Sequence, residues 1–218
     1  MKSLGITICA LVLCALQTRG NPVSTASIEK TWERCLVAID DETAHVSCAV
    51  GYKATDGING PMYFSVPVFL PKGSFSGAEQ AQRIVNPRLE VAGTIHEPTR
   101  VNIRSTPSEF EGTTRVDFAF ILTPLKSRSF SIVVTYRQPL LGKSFAYLPQ
   151  FEHGTKPREP SSFTLTAFPK GAGTVRLATK HKNIAASMST RLTLTPTHDE
   201  LIVVEHSKQG EQGGAQNP

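Results

Sequence analysis

The clearest pattern in this sequence is alternation. Val116, Phe118, Phe120 and Leu122 alternate with Asp117, Ala119 and Ile121. Phe130, Ile132, Val134 and Tyr136 then alternate with Ser131, Val133, Thr135 and Arg137. A period of two puts one apolar row on one face of a strand. Thr123-Pro124-Leu125-Lys126 and Gln138-Pro139-Leu140-Leu141-Gly142 interrupt the rows, because proline cannot donate to a sheet ladder and glycine tolerates turns. The stretch from Val116 to Phe151 therefore predicts three successive antiparallel strands at the centre of an all-β domain.

The same reading extends along the chain. Cys35, Val37 and Ile39 form one row, and Ala44, Val46, Cys48 and Val50 another, with Asp40-Asp41-Glu42-Thr43 between them. A hairpin centred on Asp41-Glu42 sets Ile39 opposite Ala44, Val37 opposite Val46 and Cys35 opposite Cys48. Met62 to Leu70 is the next strand, and Pro67 within it predicts an edge position or a bulge. Ser76 to Arg83 has good helix formers and predicts one or two turns ended at Asn86-Pro87. Leu89 to Ile95 and Thr99 to Arg104 read as a strand pair across His96-Glu97-Pro98. Phe163 to Ala167 and Val175 to Leu177 read as short strands. Thr190 to Thr195 and Leu201 to His206 read as a final hairpin. Asn21 to Lys30 reads as a loose lead-in.

These elements predict an all-β chain: an antiparallel β-sandwich, immunoglobulin-like or jelly-roll-like, of about ten strands with at most one short helix. The expected organisation is a signal peptide over 1–20 and a sandwich over 21–206, followed by a disordered tail over 207–218. A division into two small β-subdomains near 106–112 is the alternative. The 218 residues, 39% of them hydrophobic, can bury such a core without a metal.

The start of the chain changes the picture of compartment. Lys2 precedes an apolar run from Leu4 to Leu16 broken only by Gly5 and Thr7, and Thr18 and Gly20 place small residues at a cleavage site. This is the pattern of a secretory signal peptide and is too short for a comfortable membrane span. Leu11-Val12-Leu13-Cys14 resembles a lipobox only loosely, which keeps lipid attachment through Cys14 as a minor alternative. Cleavage after Gly20 removes Lys2, Arg19, Cys9 and Cys14, leaving twenty-one basic against eighteen acidic side chains. So small a surplus, scattered along the sequence, does not identify a nucleic-acid binder. Cys35 and Cys48 remain, and an even pair in an exported chain implies a disulfide.

Motifs for chemistry are few. The histidines at 45, 96, 153, 181, 198 and 206 make no short-spaced metal motif. His198-Asp199-Glu200 falls in a predicted turn, where polar residues need no functional reason. Gly73-Ser74-Phe75-Ser76-Gly77 has the wrong spacing for a nucleophile elbow, and Gly171-Ala172-Gly173 precedes a strand, so it is no phosphate cradle. Tyr136, Arg137, Tyr147, Phe151 and His153 flank or follow the Pro139–Gly142 loop, and aromatics beside polar groups suit a sugar or peptide surface. The competing expectation is that Tyr136 and Tyr147 are core. The sequence thus points to a secreted or periplasmic binding or structural protein of the cell envelope, with no cofactor and an envelope protein or glycan as partner. A hydrolase with a site assembled only in space and a carbohydrate-binding module are the alternatives.

Overall fold

The computed structural model describes residues 28–54, 61–104, 108–123, 127–149, 162–179, 182–194 and 201–208. In chain order the strands begin with β1 (Ile28–Ile39), β2 (Thr43–Ala54) and β3 (Met62–Pro71), followed by one helix, α1 (Ala78–Val85). Then come β4 (Arg88–Val91), β5 (Thr94–His96), β6 (Arg100–Ile103), β7 (Thr113–Leu122), β8 (Ser129–Pro139) and β9 (Ser144–Tyr147). The last are β10 (Ser162–Pro169), β11 (Gly173–Ala178), β12 (Asn183–Ser187), β13 (Thr190–Leu194) and β14 (Ile202–Lys208). The fold is all-β and sandwich-like with a single short helix among the described residues. Among the described residues the strands number fourteen against about ten expected, and four of them (β4, β5, β6 and β9) have only three or four residues.

Three sheets hold these strands: a seven-stranded sheet in the order β13-β10-β1-β2-β8-β4-β5, a four-stranded sheet β12-β11-β14-β9, and a three-stranded sheet β3-β7-β6. Every pairing between strands is antiparallel except β1 with β10, which run parallel. Inward rows from all three sheets join one core cluster that includes Val37, Phe64, Phe118, Phe120, Ile132, Phe145, Phe163 and Val204.

The first hairpin has the register expected from its two apolar rows. Ile39 pairs with Ala44, Val37 with Val46, and Cys35 with Cys48. Asp40 builds the turn: its Oδ1 accepts from the backbone N–H of Glu42 at 3.1 Å and of Thr43 at 2.8 Å. β3 with Pro67 lies on the edge of its sheet, the kind of position to which strand proline is confined. α1 starts after Gly77 and ends at Asn86, whose left-handed backbone (φ 45°) lets its N–H reach the carbonyl of Gln82 at 2.7 Å.

Four expectations are corrected. β7, β8 and β9 are not sheet neighbours; they belong to three different sheets. Alternation reveals which residues face the core, but an inward row carries no label for the strand beside it. β4 pairs with β5 and β8, while β6 pairs with β7. The cause is a two-residue turn at Ala92 (φ 49°) and Gly93 (φ 78°), the positive-φ pair that suits a tight hairpin. It reverses the chain inside a segment that reads as one strand. β13 joins β10 and β14 lies between β11 and β9, so the expected final hairpin does not form. β1 begins at Ile28, inside the expected lead-in.

Candidate functional site

A β-bulge in β1 builds the site. The register with β2 shifts between Lys30 and Trp32. The extra residue, Thr31, is exposed, and the inward row resumes at Glu33 instead of Trp32. A bulge changes which side chains face inward without ending the strand. Here it turns both Lys30 and Glu33 into the core, with Glu33 only 1% exposed.

Their charges meet there. Lys30 Nζ lies 2.8 Å from Glu33 Oε2. The other carboxylate oxygen, Oε1, accepts the Tyr147 hydroxyl from β9. The Tyr147 oxygen also lies 3.0 Å from Cys35 Sγ and 3.2 Å from Cys48 Sγ. Cys35 and Cys48 form a disulfide with Cα atoms 4.1 Å apart. The Tyr147 ring stacks on Phe163 of β10, centroids 6.0 Å apart. A buried ion pair needs hydrogen bonds on its remaining lone pairs to offset desolvation, and the phenol supplies one. Burial, and then the neighbouring Glu33 charge, push the Tyr147 and Tyr136 phenols well above the usual tyrosine range.

A small cavity touches this cluster. Glu33, Cys48, Tyr136, Tyr147 and Leu148 line it together with Val50, Val66, Pro67 and Val134. Its interior has room for about one water molecule. Ligand atoms of Glu33, Cys35 and Cys48 lie within 4.8 Å of one another. Metal ligation requires thiolates, and in the disulfide the two sulfurs are bonded to each other, so in this state the trio is not a metal site. The arrangement ties β1 to β9 through one carboxylate and β1 to β2 through the disulfide.

The residues singled out in the sequence separate. Tyr136 and Tyr147 converge on the cavity, both buried. Arg137 is exposed on the opposite face of β8, where its Nε donates to the carbonyl of Ile84 at 2.8 Å and a terminal nitrogen to that of Arg83 at 3.1 Å. It secures the end of α1. Phe151 and His153, like His198 and the segments 1–20 and 209–218, lie outside the described residues. Tyr147 is no loop-flanking surface residue: β9 lies in the four-stranded sheet and its last residue points into the core. Lys30 and Glu33 were not anticipated. Glu33 had a signal, since it continues the Cys35, Val37, Ile39 row by two; Lys30 is out of phase until the bulge is known.

The site and fold define a disulfide-clamped β-sandwich. No family model and no curated protein sequence matches the chain. Among solved structures, it is similar to a Legionella pneumophila protein assigned provisionally to nutrient binding, at 13% identity and TM-score 0.50, over 86% of this chain and 70% of that one. Weaker likenesses are to yeast LTA4 hydrolase bound to bestatin (8% identity, TM-score 0.40, 93% of this chain and 33% of that one) and to an M1 zinc metallopeptidase mutant from Deinococcus radiodurans (10%, 0.33, 84% and 43%). At these identities the likeness concerns the fold alone.

Proposed function

We propose that the chain is an exported, non-catalytic binding protein whose rigid sandwich presents a ligand surface. The observation that carries this reading is the Cys35–Cys48 disulfide, a bond that persists in oxidising compartments. It agrees with the charged-then-apolar start of the chain, cleaved after Gly20 in this reading. The fold of the Legionella protein supports the binding half. A glycan or an envelope protein is the class of partner. Phe151 and His153 are proposed contacts.

The test is to express the full chain, recover the exported product and weigh it intact. A product beginning near Asn21, two hydrogens lighter than its reduced form, is expected. It is then screened against glycans and envelope extracts. A product retained in the cytoplasm with Cys35 and Cys48 as free thiols overturns the reading, as does an exported product that retains nothing in the screen.

A further inference from the structure

The basic residues look scattered in the sequence, yet the seven-stranded sheet gathers four of them. Its outward face carries Arg34 on β1, Arg88 on β4, Arg137 on β8 and Arg191 on β13, all exposed. Over the rows from Trp32 to Ala38 and their partners, Glu90 is the one carboxylate among the described residues. Four guanidinium groups against one carboxylate make this the basic face of a chain whose formal net charge is +5.

One cross-strand row is informative. Leu36 pairs with Thr166 on one side and Ser47 on the other; Thr166 continues to Arg191, and Ser47 through Thr135 to Arg88. The row crosses six strands, so its two arginines stand about 24 Å apart at a strand spacing of about 4.8 Å. Between them lie small hydroxyl side chains and Leu36, which is 54% exposed. The one tryptophan does not rise above this floor. Trp32 lies on Gly51, where an added Cβ would come within 2.2 Å of its Nε1, and the Arg34 guanidinium sits 5.4 Å from its ring centroid.

We propose that this face binds a linear anionic polysaccharide lying across the strands, a proposal that rests on the binding-protein reading. Arginine forks recognise carboxylates and sulfates in two-point contacts. Serine and threonine hydroxyls match sugar hydroxyls, and Leu36 offers an apolar patch to the C–H face of a pyranose. A pyranose ring is about as long as the strand spacing, so successive sugars meet successive strands in step, with acidic groups falling at Arg191 and Arg88 at the ends of the row and beside it at Arg34, two residues along β1 from Leu36. A nucleic acid would ask for an open aromatic face for stacking, and the Trp32 ring packs on Gly51 with the Arg34 guanidinium 5.4 Å from its centroid.

The experiment uses the mature full chain, with polygalacturonate as the probe and a neutral glucan, anionic phospholipid vesicles and single-stranded DNA as comparison probes. Saturable, salt-sensitive binding to polygalacturonate is expected, stronger than to the other three. Arg34→Glu/Arg191→Glu should weaken it by roughly tenfold or more with an unchanged melting temperature. Lys72→Glu/Lys182→Glu, with the same change in charge on other elements, should leave it within about twofold. Equal loss in both double variants would mean that net charge alone drives binding, and the proposed face would fall. Equal or stronger binding to vesicles or DNA would overturn the polysaccharide assignment. Binding of some other ligand, unaffected by Arg34→Glu/Arg191→Glu, would overturn this inference and leave the binding-protein reading standing. Retention of none of the probes and nothing from the extracts would sink both.

Discussion

The Tyr147 hydroxyl donates to the Glu33 carboxylate across 114 positions of sequence, joining β9 of the four-stranded sheet to β1 of the seven-stranded one. Truncating the carboxylate takes from Lys30 its ion-pair partner and from Tyr147 its acceptor. Glu33→Ala should therefore destabilise the fold by about 3–5 kcal/mol, the usual cost of breaking a buried pair from one side. Tyr147→Phe removes only the donor and should cost about 1–3 kcal/mol. Lys30→Met/Glu33→Leu should recover most of the Glu33→Ala loss, since apolar replacement of a whole pair is often neutral. Urea denaturation of the four proteins checks the order. If Glu33→Ala is as stable as wild type, the cluster is no clamp.

The same cluster sets the response to alkali. The Tyr147 and Tyr136 phenols are held above their ordinary value of 10.0, first by burial and then by the Glu33 charge. A raised folded-state pKa means that the folded state keeps the proton longer than the unfolded chain. The stability this contributes is complete below pH 10.0 and is lost as the pH rises further, because only the unfolded state then ionises. The urea midpoint should fall above pH 10.0, and Tyr136→Phe should flatten that fall. A midpoint rising through this range would reverse the sign of the linkage.

The disulfide gives a third prediction. Thiol labelling of exported material without reductant should find no free cysteine. Replacing Cys35 and Cys48 by alanine closes no loop in the unfolded chain and should cost roughly 3 kcal/mol for this short span, while the β-sheet circular dichroism persists. Two reactive thiols in the exported protein would remove the basis for the compartment assignment.

Facing was legible in the sequence; adjacency was legible only where a short turn joins two rows, as in the β1–β2 hairpin with Cys35 opposite Cys48. Val116, Phe118, Phe120 and Leu122 are all buried, as their alternation implies, and Ile121 between them is 44% exposed. Large-to-small truncation should separate them: Phe120→Ala should cost about 3–5 kcal/mol, and Ile121→Ala should stay within about 0.5 kcal/mol. Equal losses would mean the strand faces both ways. More distant sheet partners carried no such signal, because the parallel β1–β10 contact and the distribution of β7, β8 and β9 over three sheets depend on long-range packing that a local period cannot encode. The buried site was half legible. Glu33 continues a visible apolar row, but Lys30 faces inward only because a bulge at Thr31 adds one residue. The tight turn at Ala92-Gly93 was hidden for a related reason: alanine carries no turn signal of its own.

Gly51 offers a test of the outer face that needs no ligand. Trp32 is the single tryptophan and its indole rests on the Gly51 backbone, Nε1, Cε2 and Cδ1 all within 2.7 Å of where a Cβ would stand. Those atoms belong to a rigid ring, so a methyl group at 51 cannot be absorbed by a small rotation. Gly51→Ala should push the indole off the sheet into water, shifting its emission to longer wavelength. It should also destabilise the fold by about 1–3 kcal/mol, the range for overpacking. Trp32→Ala alone loses the indole contact, and adding Gly51→Ala to it should then be neutral or stabilising, because alanine lowers the entropy of the unfolded chain. This non-additivity is the signature of direct contact. Simple additivity of the two changes, with tryptophan emission unmoved in Gly51→Ala, would show that the ring does not lie on the glycine. The floor proposed between Arg88 and Arg191 would then need to be redrawn.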